Sequence, residues 1–499
     1  MSTVEQVKPE VRDYLSREHR LFINNEWVSP RTAGTFDVIN PATASVISSV
    51  SEAGSADVDD AVASARHAFD HGPWRTMHAS QRGCLIWRLS ELVEANADEL
   101  IQLEVLDNGM PIAFAEHLMR YCVEWLRYYA GMTDKVFGKN ASNIVSGDGS
   151  FTHAYSTSQP VGVAGLITPW NGPLGSLIIK LAPALASGCA VVIKPAENTP
   201  LTTLRLADLI AQAEFPPGVV NILTGFGPVA GAALVEHADV DKISFTGSTN
   251  VGKQIVKAAT GNLKRVTLEL GGKSPCIVMD DAKLETAIPG AAMAIFANTG
   301  QVCFAGSRLF VHKNVYDEVV SGIAEFAKSM KVGSGLDRDN MLGPLISEKQ
   351  LERVTSYVTA GSMAGAEIVT GGERVESGNG FFVEPTVFAN VSADMDIVKE
   401  EIFGPVLCVT AFDDTEAVIQ QANDTRYGLG AGIFSRSVDK VHYIASQLQT
   451  GNVWVNSYGT VHPALPFGGF KESGWGREMG TEGLEAYLEK KSVFINLDP

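Results

Sequence analysis

From Gly162 to Phe245 the chain alternates short β-like runs with helical ones: Gly162 to Ile167, Leu174 to Ala186, Ala190 to Ile193, Leu201 to Ala213, Val219 to Leu223 and Lys242 to Phe245. Strand-helix-strand order with tight links implies parallel pairing, because the intervening helix carries the chain back before the next strand begins. A parallel sheet covered on both faces needs unbroken apolar strands, and Ala190-Val191-Val192-Ile193 is one. The fold class is therefore α/β. A second such series starts near Val266 and continues through Cys276 to Val278, Arg308 to Val311, Ala366 to Val369 and Val406 to Phe412. With 499 residues the chain exceeds what one core serves, since single cores stop growing near ~250–300 residues.

Ahead of these series the sequence is more helical. Residues 1–20 read as a polar arm or short helix. Apolar runs on either side of Asn24-Asn25 read as a hairpin. Val58, Ala61, Val62, Ala65, Ala68 and Phe69 keep helical spacing. A second helix carries Leu85, Leu89, Leu92 and Val93 and ends no later than Asn108-Gly109-Met110-Pro111, and a third contains Tyr121, Trp125, Tyr128 and Tyr129. The polar, glycine-bearing stretch from Ser142 to Ser150 reads as a connection.

A net charge of -18 disfavours nucleic acid and anionic membrane as partners. The six cysteines lack paired spacing, so neither a disulfide framework nor a metal site is expected. The opening residues lack a signal peptide's basic and apolar regions, and no apolar run reaches the ~20 residues of a spanning helix. Together these point to a cytoplasmic protein.

Several segments carry chemistry. Cys303 sits among small residues in Asn298-Thr299-Gly300-Gln301-Val302-Cys303, open to attack geometry. A cysteine without context is ordinarily an inert small hydrophobe. Asn171, in the proline-bracketed turn Thr168 to Pro173, offers an N–H to a developing oxyanion, or is an ordinary turn residue. Glu269 lies in an apolar run before Gly271-Gly272, where burial would raise its pKa towards that of a general base. Its alternative is a half-exposed strand residue. Lys194 and Glu197 close a strand at the carboxyl edge of the parallel sheet, where ligands of this architecture collect. Such a carboxylate accepts from ribose hydroxyls and repels a 2′-phosphate, favouring NAD over NADP. Gly225, Gly227 and Gly231 depart from the dinucleotide fingerprint, whereas Phe245 to Lys253 could start a helix whose amides face a pyrophosphate.

Pro169-Trp170-Asn171, Lys194-Pro195-Ala196-Glu197, Phe245-Thr246-Gly247-Ser248, Leu268 to Lys273, Gly300 to Cys303, Glu401-Ile402-Phe403-Gly404-Pro405 and Pro466-Phe467-Gly468-Gly469 together resemble the aldehyde dehydrogenase superfamily, from about residue 20 to the C-terminus. The resemblance implies two parallel-sheet, Rossmann-like domains and a small β oligomerisation element. It places dinucleotide binding at 20–138 and 161–270, catalysis at 271–470, and oligomerisation segments at 139–160 and 471–499. It further implies that Cys303 attacks an aldehyde, that its backbone N–H and Asn171 hold the oxyanion, and that Glu269 activates water to hydrolyse the thioester. Lys180 and Glu478 would form a proton-relay pair. Ile167, Thr168, Pro169, Trp170, Lys194, Glu197, Gly227, Gly231, Phe245, Gly247, Ser248, Val251, Gly252, Leu270, Gln350, Glu401 and Phe403 would hold NAD. A homotetramer or homodimer follows from the same likeness, with no metal.

Gly172, Ser176, Ala297 and Val461 stand where bulky side chains are common in relatives, so the resemblance implies a roomy tunnel. Tyr121, Ile179, Val302, Phe304 and Phe467 are the other pocket candidates. The expected substrate is a bulky apolar aldehyde, aromatic, aryl-alkyl or terpenoid, and the general likeness leans towards the phenylacetaldehyde dehydrogenase branch. Three rivals stand beside it: a coenzyme A-acylating enzyme, which would lack the Glu269 base, a cysteine hydrolase, which would want a histidine base, and a catalytically silent structural relative.

Overall fold

The computed structural model describes residues 7–32, 34–141, 144–145, 149–376 and 378–497. Its first sheet is centred on parallel strands in the spatial order Arg265–Glu269, Lys242–Thr246, Val163–Ile167, Ala190–Lys194 and Val220–Ile222. These are the strands whose apolar runs predict burial on both faces, and the residues from Ala190 to Lys194 are all buried. Leu21–Ile23 adds antiparallel to one edge and turns back as Glu26–Val28. Asn24 and Asn25 have φ of 56° and 62°, the left-handed pair that a two-residue hairpin turn requires. At the opposite edge Gly474–Trp475 pairs antiparallel with Leu268 and Glu269.

The strand around Val266 thus closes the first sheet and does not open the second, because Val266 pairs in parallel register with Ile243. The second sheet runs Glu367–Thr370, Thr386–Ala389, Val406–Phe412, Arg308–His312, Pro275–Val278, Gly430–Phe434, Asn452–Val455. It is parallel except for Glu367–Thr370, which is antiparallel to its neighbour. The strand-helix-strand expectation fails there because no helix lies between Thr370 and Thr386 among the described residues.

The helical front divides more finely than its spacing indicated. Ala79–Ala95 and Ala97–Asn108 are separate helices, broken at Asn96, whose Nδ2 donates to the Leu92 carbonyl at 2.7 Å. Ile112–Met132 follows and packs against Ala79–Ala95 and Pro173–Ser187. Leu488–Asn496, Phe151–Pro160 and Ile144–Val145 make a small antiparallel sheet. Part of the connection expected at 142–150 lies outside the described residues.

Between the two large sheets runs the link Leu270 to Ser274, from the end of Arg265–Glu269 to the start of Pro275–Val278. Ile167, Lys194, Thr246 and Glu269 end strands of the first sheet, while the segments bearing Cys303 and Glu401 lead into strands of the second. The carboxyl edge of one sheet thereby faces the amino edge of the other across a cleft lined from both.

Candidate active site

The backbone before Cys303 is strained. Asn298, Thr299 and Gly300 have φ of 49°, 57° and 71°, and a β-carbon at Gly300 would collide with the Gly404 carbonyl. Consecutive left-handed residues persist only where the surroundings over-determine them. Here Thr299 Oγ1 donates to the Gly343 carbonyl at 2.9 Å, and Gln301 Oε1 accepts from the Ile346 N–H at 2.9 Å. On the far side of the loop the Tyr458 hydroxyl donates to the Phe304 carbonyl at 2.6 Å. Cys303 emerges half-buried on the cleft lining, whereas Cys122, Cys189, Cys276 and Cys408 are buried elsewhere.

The turn bearing Asn171 is tied to this loop twice. Asn171 Nδ2 donates to the Gln301 carbonyl at 2.8 Å, and Asn298 Nδ2 donates to the Asn171 carbonyl at 2.9 Å. An amide carries two N–H bonds, so one is left over from the Gln301 contact. Burial pushes the Cys303 thiol far above its ordinary range, and the charges of Glu269 and Glu401 push the same way. The resting sulfur is therefore protonated and needs a proton acceptor at the moment of attack.

Two carboxylates lie near enough for their charges to act on that sulfur. Glu269 is buried and neither of its oxygens has a hydrogen-bond partner among the described residues. Burial raises its pKa well above the usual range and the Glu478 charge adds to this, while Lys180 and Arg477 oppose it. The Lys180 ammonium pairs with Glu478, the two side chains being 0% and 5% exposed, and Ser244 Oγ donates to the same Glu478 oxygen at 3.1 Å. The backbones of Phe467 and Glu478 exchange hydrogen bonds at 2.7 and 2.8 Å, fixing the pair beside Glu269. Glu401 accepts from the Gly272 N–H at 3.0 Å and burial pushes it up to about 7.

The cleft holds a cavity of about 430 Å³ and carries Pro169, Trp170, Thr246, Ser248, Leu270, Cys303, Gln350, Glu401 and Phe403 on its walls. Ser248 caps the helix Thr249–Ala259, its Oγ accepting from the Val251 N–H at 3.4 Å. That leaves the first amides of this helix as an anion seat.

The aldehyde dehydrogenase family model matches residues 27–493. The chain belongs to the aldehyde dehydrogenase family. It is 49% identical over 498 residues to a putative aldehyde dehydrogenase, DhaS, of Bacillus subtilis, covering 100% of this chain and 99% of that one. It is 48% identical over 482 residues to the human mitochondrial aldehyde dehydrogenase, covering 96% of this chain and 92% of the other. An aldehyde dehydrogenase from Bacillus cereus solved as its NAD+ complex superposes with a TM-score of 0.96 at 48% identity, covering 99% of each chain.

In this family member the expected cofactor contacts spread over a long path. Trp170 and Phe403 meet edge to face at 5.2 Å, and Gln350 Nε2 donates to the Ile402 and Phe403 carbonyls at 3.2 and 2.8 Å. Phe403 has φ of 62°, so this wall too is held in a strained shape. Lys194 lies farther along, its Nζ donating to Pro195 O at 2.8 Å and meeting Glu197 at 3.3 Å, with Gly231 against its methylenes. Gly227 opens the turn Gly227–Gly231. A β-carbon at Gly252 would strike Leu270, and one at Gly247 would strike Phe245.

On the substrate side, Tyr121, Ile179, Cys303, Phe304 and Val461 border one apolar cluster that also includes Phe467. A β-carbon at Gly172 would meet Ser176 Oγ at 3.7 Å and Leu118 Cδ2 at 3.8 Å, ordinary contacts that displace no neighbour. Val302 is not among them: it packs against the core of the second sheet. Sequence reading missed Trp454 and Tyr458, which cage Phe304 at 5.2 and 6.4 Å between ring centres. It also missed Arg353 and Tyr357 on the cofactor side. The signal available for Trp454 and Tyr458 was Gly430 and Gly432, glycines inside a strand whose missing β-carbons make room for those rings.

Proposed function

We propose that this enzyme oxidises a bulky apolar aldehyde, aromatic, aryl-alkyl or terpenoid, to its carboxylic acid with NAD. The observation that carries the reading is a Cys303 loop tied to the Asn171 amide, with a buried carboxylate, Glu269, near enough for its charge to act on the thiol and with neither oxygen partnered among the described residues. Sγ attacks the aldehyde carbon while its proton passes to a neighbouring carboxylate. Asn171 and the Cys303 N–H hold the oxyanion. Loss of a hydride from the thiohemiacetal carbon leaves a thioester on the sulfur. Glu269 takes a proton from water as the water attacks the thioester, and the sulfur departs as thiolate to be reprotonated. Lys180 and Glu478 carry the proton away from Glu269.

The residues present fit the dinucleotide. Thr168 Oγ1 and Thr246 Oγ1 are buried without a partner among the described residues, and Ser248 presents a capped helix start. Pro169, Trp170, Gln350, Glu401 and Phe403 would hold its nicotinamide end, and Lys194, Glu197 and Gly231 its adenosine end. When bound, NAD supplies the hydride acceptor. The Glu197 carboxylate supports NAD over NADP by repelling a 2′-phosphate.

Gly172, Ser176 and Val461 support a bulky substrate, of which phenylacetaldehyde is the first to try. We assign 20–138 and 161–270 to cofactor binding, 271–470 to catalysis, and 139–160 with 471–499 to oligomerisation. Exposed Phe494 and Ile495 on the small sheet support a homodimer or homotetramer. No helix among the described residues is long and apolar enough to cross a membrane, and a cytoplasmic site of action accords with the chain's charge.

The test is reduced nucleotide absorbance on mixing the protein with phenylacetaldehyde, a terpenoid aldehyde and acetaldehyde, with NAD and NADP in parallel. Higher kcat/KM for the bulky aldehydes with NAD is expected. Preference for acetaldehyde overturns the substrate reading. Turnover only when coenzyme A is added makes it an acylating enzyme, and no reduction with any aldehyde makes it a silent relative.

A further inference from the structure

The end of the helix Ala97–Asn108 touches both halves of the reaction centre from behind. Asn108, fully buried, donates from Nδ2 to the Trp170 carbonyl at 2.8 Å, immediately before Asn171, while its Oδ1 accepts from the Met110 N–H at 3.1 Å. One turn earlier, buried Glu104 accepts from the Leu174 N–H at 2.9 Å, in the first turn of the helix Pro173–Ser187 that carries Lys180. The Asn171 turn is thus gripped on both flanks by one helix. Beyond Asn108, Gly109 has φ of 91° and no room for a β-carbon against Pro344, and its carbonyl packs on Gly343. The carbonyls of Gly343 and Pro344 accept from Thr299 Oγ1 and Gln301 Nε2 at 2.9 and 3.4 Å, on the loop that ends at Cys303.

We infer that Asn108, with Glu104, is a positioning residue that sets the Asn171 donor in register with the sulfur. The inference rests on the proposed oxyanion role of Asn171. Asn108 is 0% exposed, so its truncation leaves a void inside the fold in place of the Trp170 carbonyl's donor, and the strained loop opposite has little freedom to follow a shifted turn. Misplacement of a reacting or stabilising group by ~1 Å costs on the order of 10²-fold in rate.

The experiment is a double-mutant cycle on single-turnover NADH formation, using Asn108→Ala, Asn171→Ala and the pair. Asn108→Ala is expected to slow the acylating turnover by about tenfold or more in the native background and less than about twofold where Asn171 is already alanine, with NAD affinity unchanged. Equal loss in both backgrounds, or none in the native one, overturns the inference. If Asn171→Ala itself acylates at the native rate, the reading of Asn171 has failed instead. Asn108→Ser, too short to reach the Trp170 carbonyl, decides the cycle if the alanine variant does not fold. Glu104→Gln, which keeps an acceptor for Leu174, should retain the rate that Glu104→Ala loses, and equal rates in the two remove Glu104 from the role.

Discussion

Replacing Glu269 by glutamine separates the two halves of the reaction. The side chain is the same size, which matters because a β-carbon at Gly468 would sit only 2.8 Å from Glu269 Oε1, so little room exists for a larger group. Burial already favours the uncharged acid at this site, so a neutral amide leaves the fold in place. What disappears is the ability to take a proton from water. General-base catalysis contributes ~10²- to 10⁴-fold, so hydrolysis of the thioester should slow by that factor, roughly 3 to 5 kcal/mol at 1.36 kcal/mol per tenfold. Acylation is spared if Glu401 takes the thiol proton. A stopped-flow trace with NAD and saturating aldehyde should then show one equivalent of NADH per site in a burst, followed by a steady rate reduced by that factor. Unchanged steady turnover would remove Glu269 from the mechanism, and loss of the burst as well would make it the base for thiol attack.

Other consequences follow from the same geometry. Glu269 and Glu401 accept protons only when ionised and both pKa values are raised, the second to about 7, so kcat should climb as pH rises through neutrality. A flat profile would contradict this. The linked stability has the opposite sign: native Glu401 keeps a proton that its unfolded form releases near 4.5, so stability is full below that value and is lost as pH rises through about 7. The melting-temperature difference between Glu401→Gln and native protein should accordingly grow from about pH 5 to about pH 8. Gly172→Phe should lower kcat/KM for phenylacetaldehyde by at least about tenfold and for acetaldehyde by less than about twofold, because the ring would take volume from the proposed substrate pocket. Lys180→Met should cost ~3–5 kcal/mol in unfolding free energy by stranding a buried carboxylate, and should slow thioester hydrolysis more than acylation.

What the sequence revealed depended on whether the physical cause was local. The Asn24-Asn25 hairpin was legible because the turn type itself demands left-handed residues. Buried parallel strands announce themselves as apolar runs, and Glu269 was flagged for its place at the end of one whose last three residues are buried. Strand direction is not local, so Glu367–Thr370 was assigned to a parallel series that it does not join. The boundary between the sheets was misjudged at Val266 for the same reason: the switch occurs within a few residues around Gly271 and Gly272, and nothing in a strand's own residues names its sheet. Gly430–Phe434 was missed because its glycines depress strand propensity while serving Trp454 and Tyr458 elsewhere in the chain. Lys180 and Glu478 lie 298 residues apart, and only family resemblance joined them before the structure brought them into contact. The contacts of Asn108 and Glu104 were equally hidden, since a polar residue on a helix looks the same whether it meets water, a carbonyl 62 residues away or a backbone N–H 70 residues away.

The account turns on Cys303 carrying the substrate as a thioester. Intact-protein mass measurement on Glu269→Gln, quenched in acid after one turnover with NAD and phenylacetaldehyde, should show the mass of the acyl group added once per chain, with peptide mapping placing it on Cys303. An unmodified protein that has nonetheless produced a full equivalent of NADH, or an acyl group on any other residue, would contradict the mechanism at its centre.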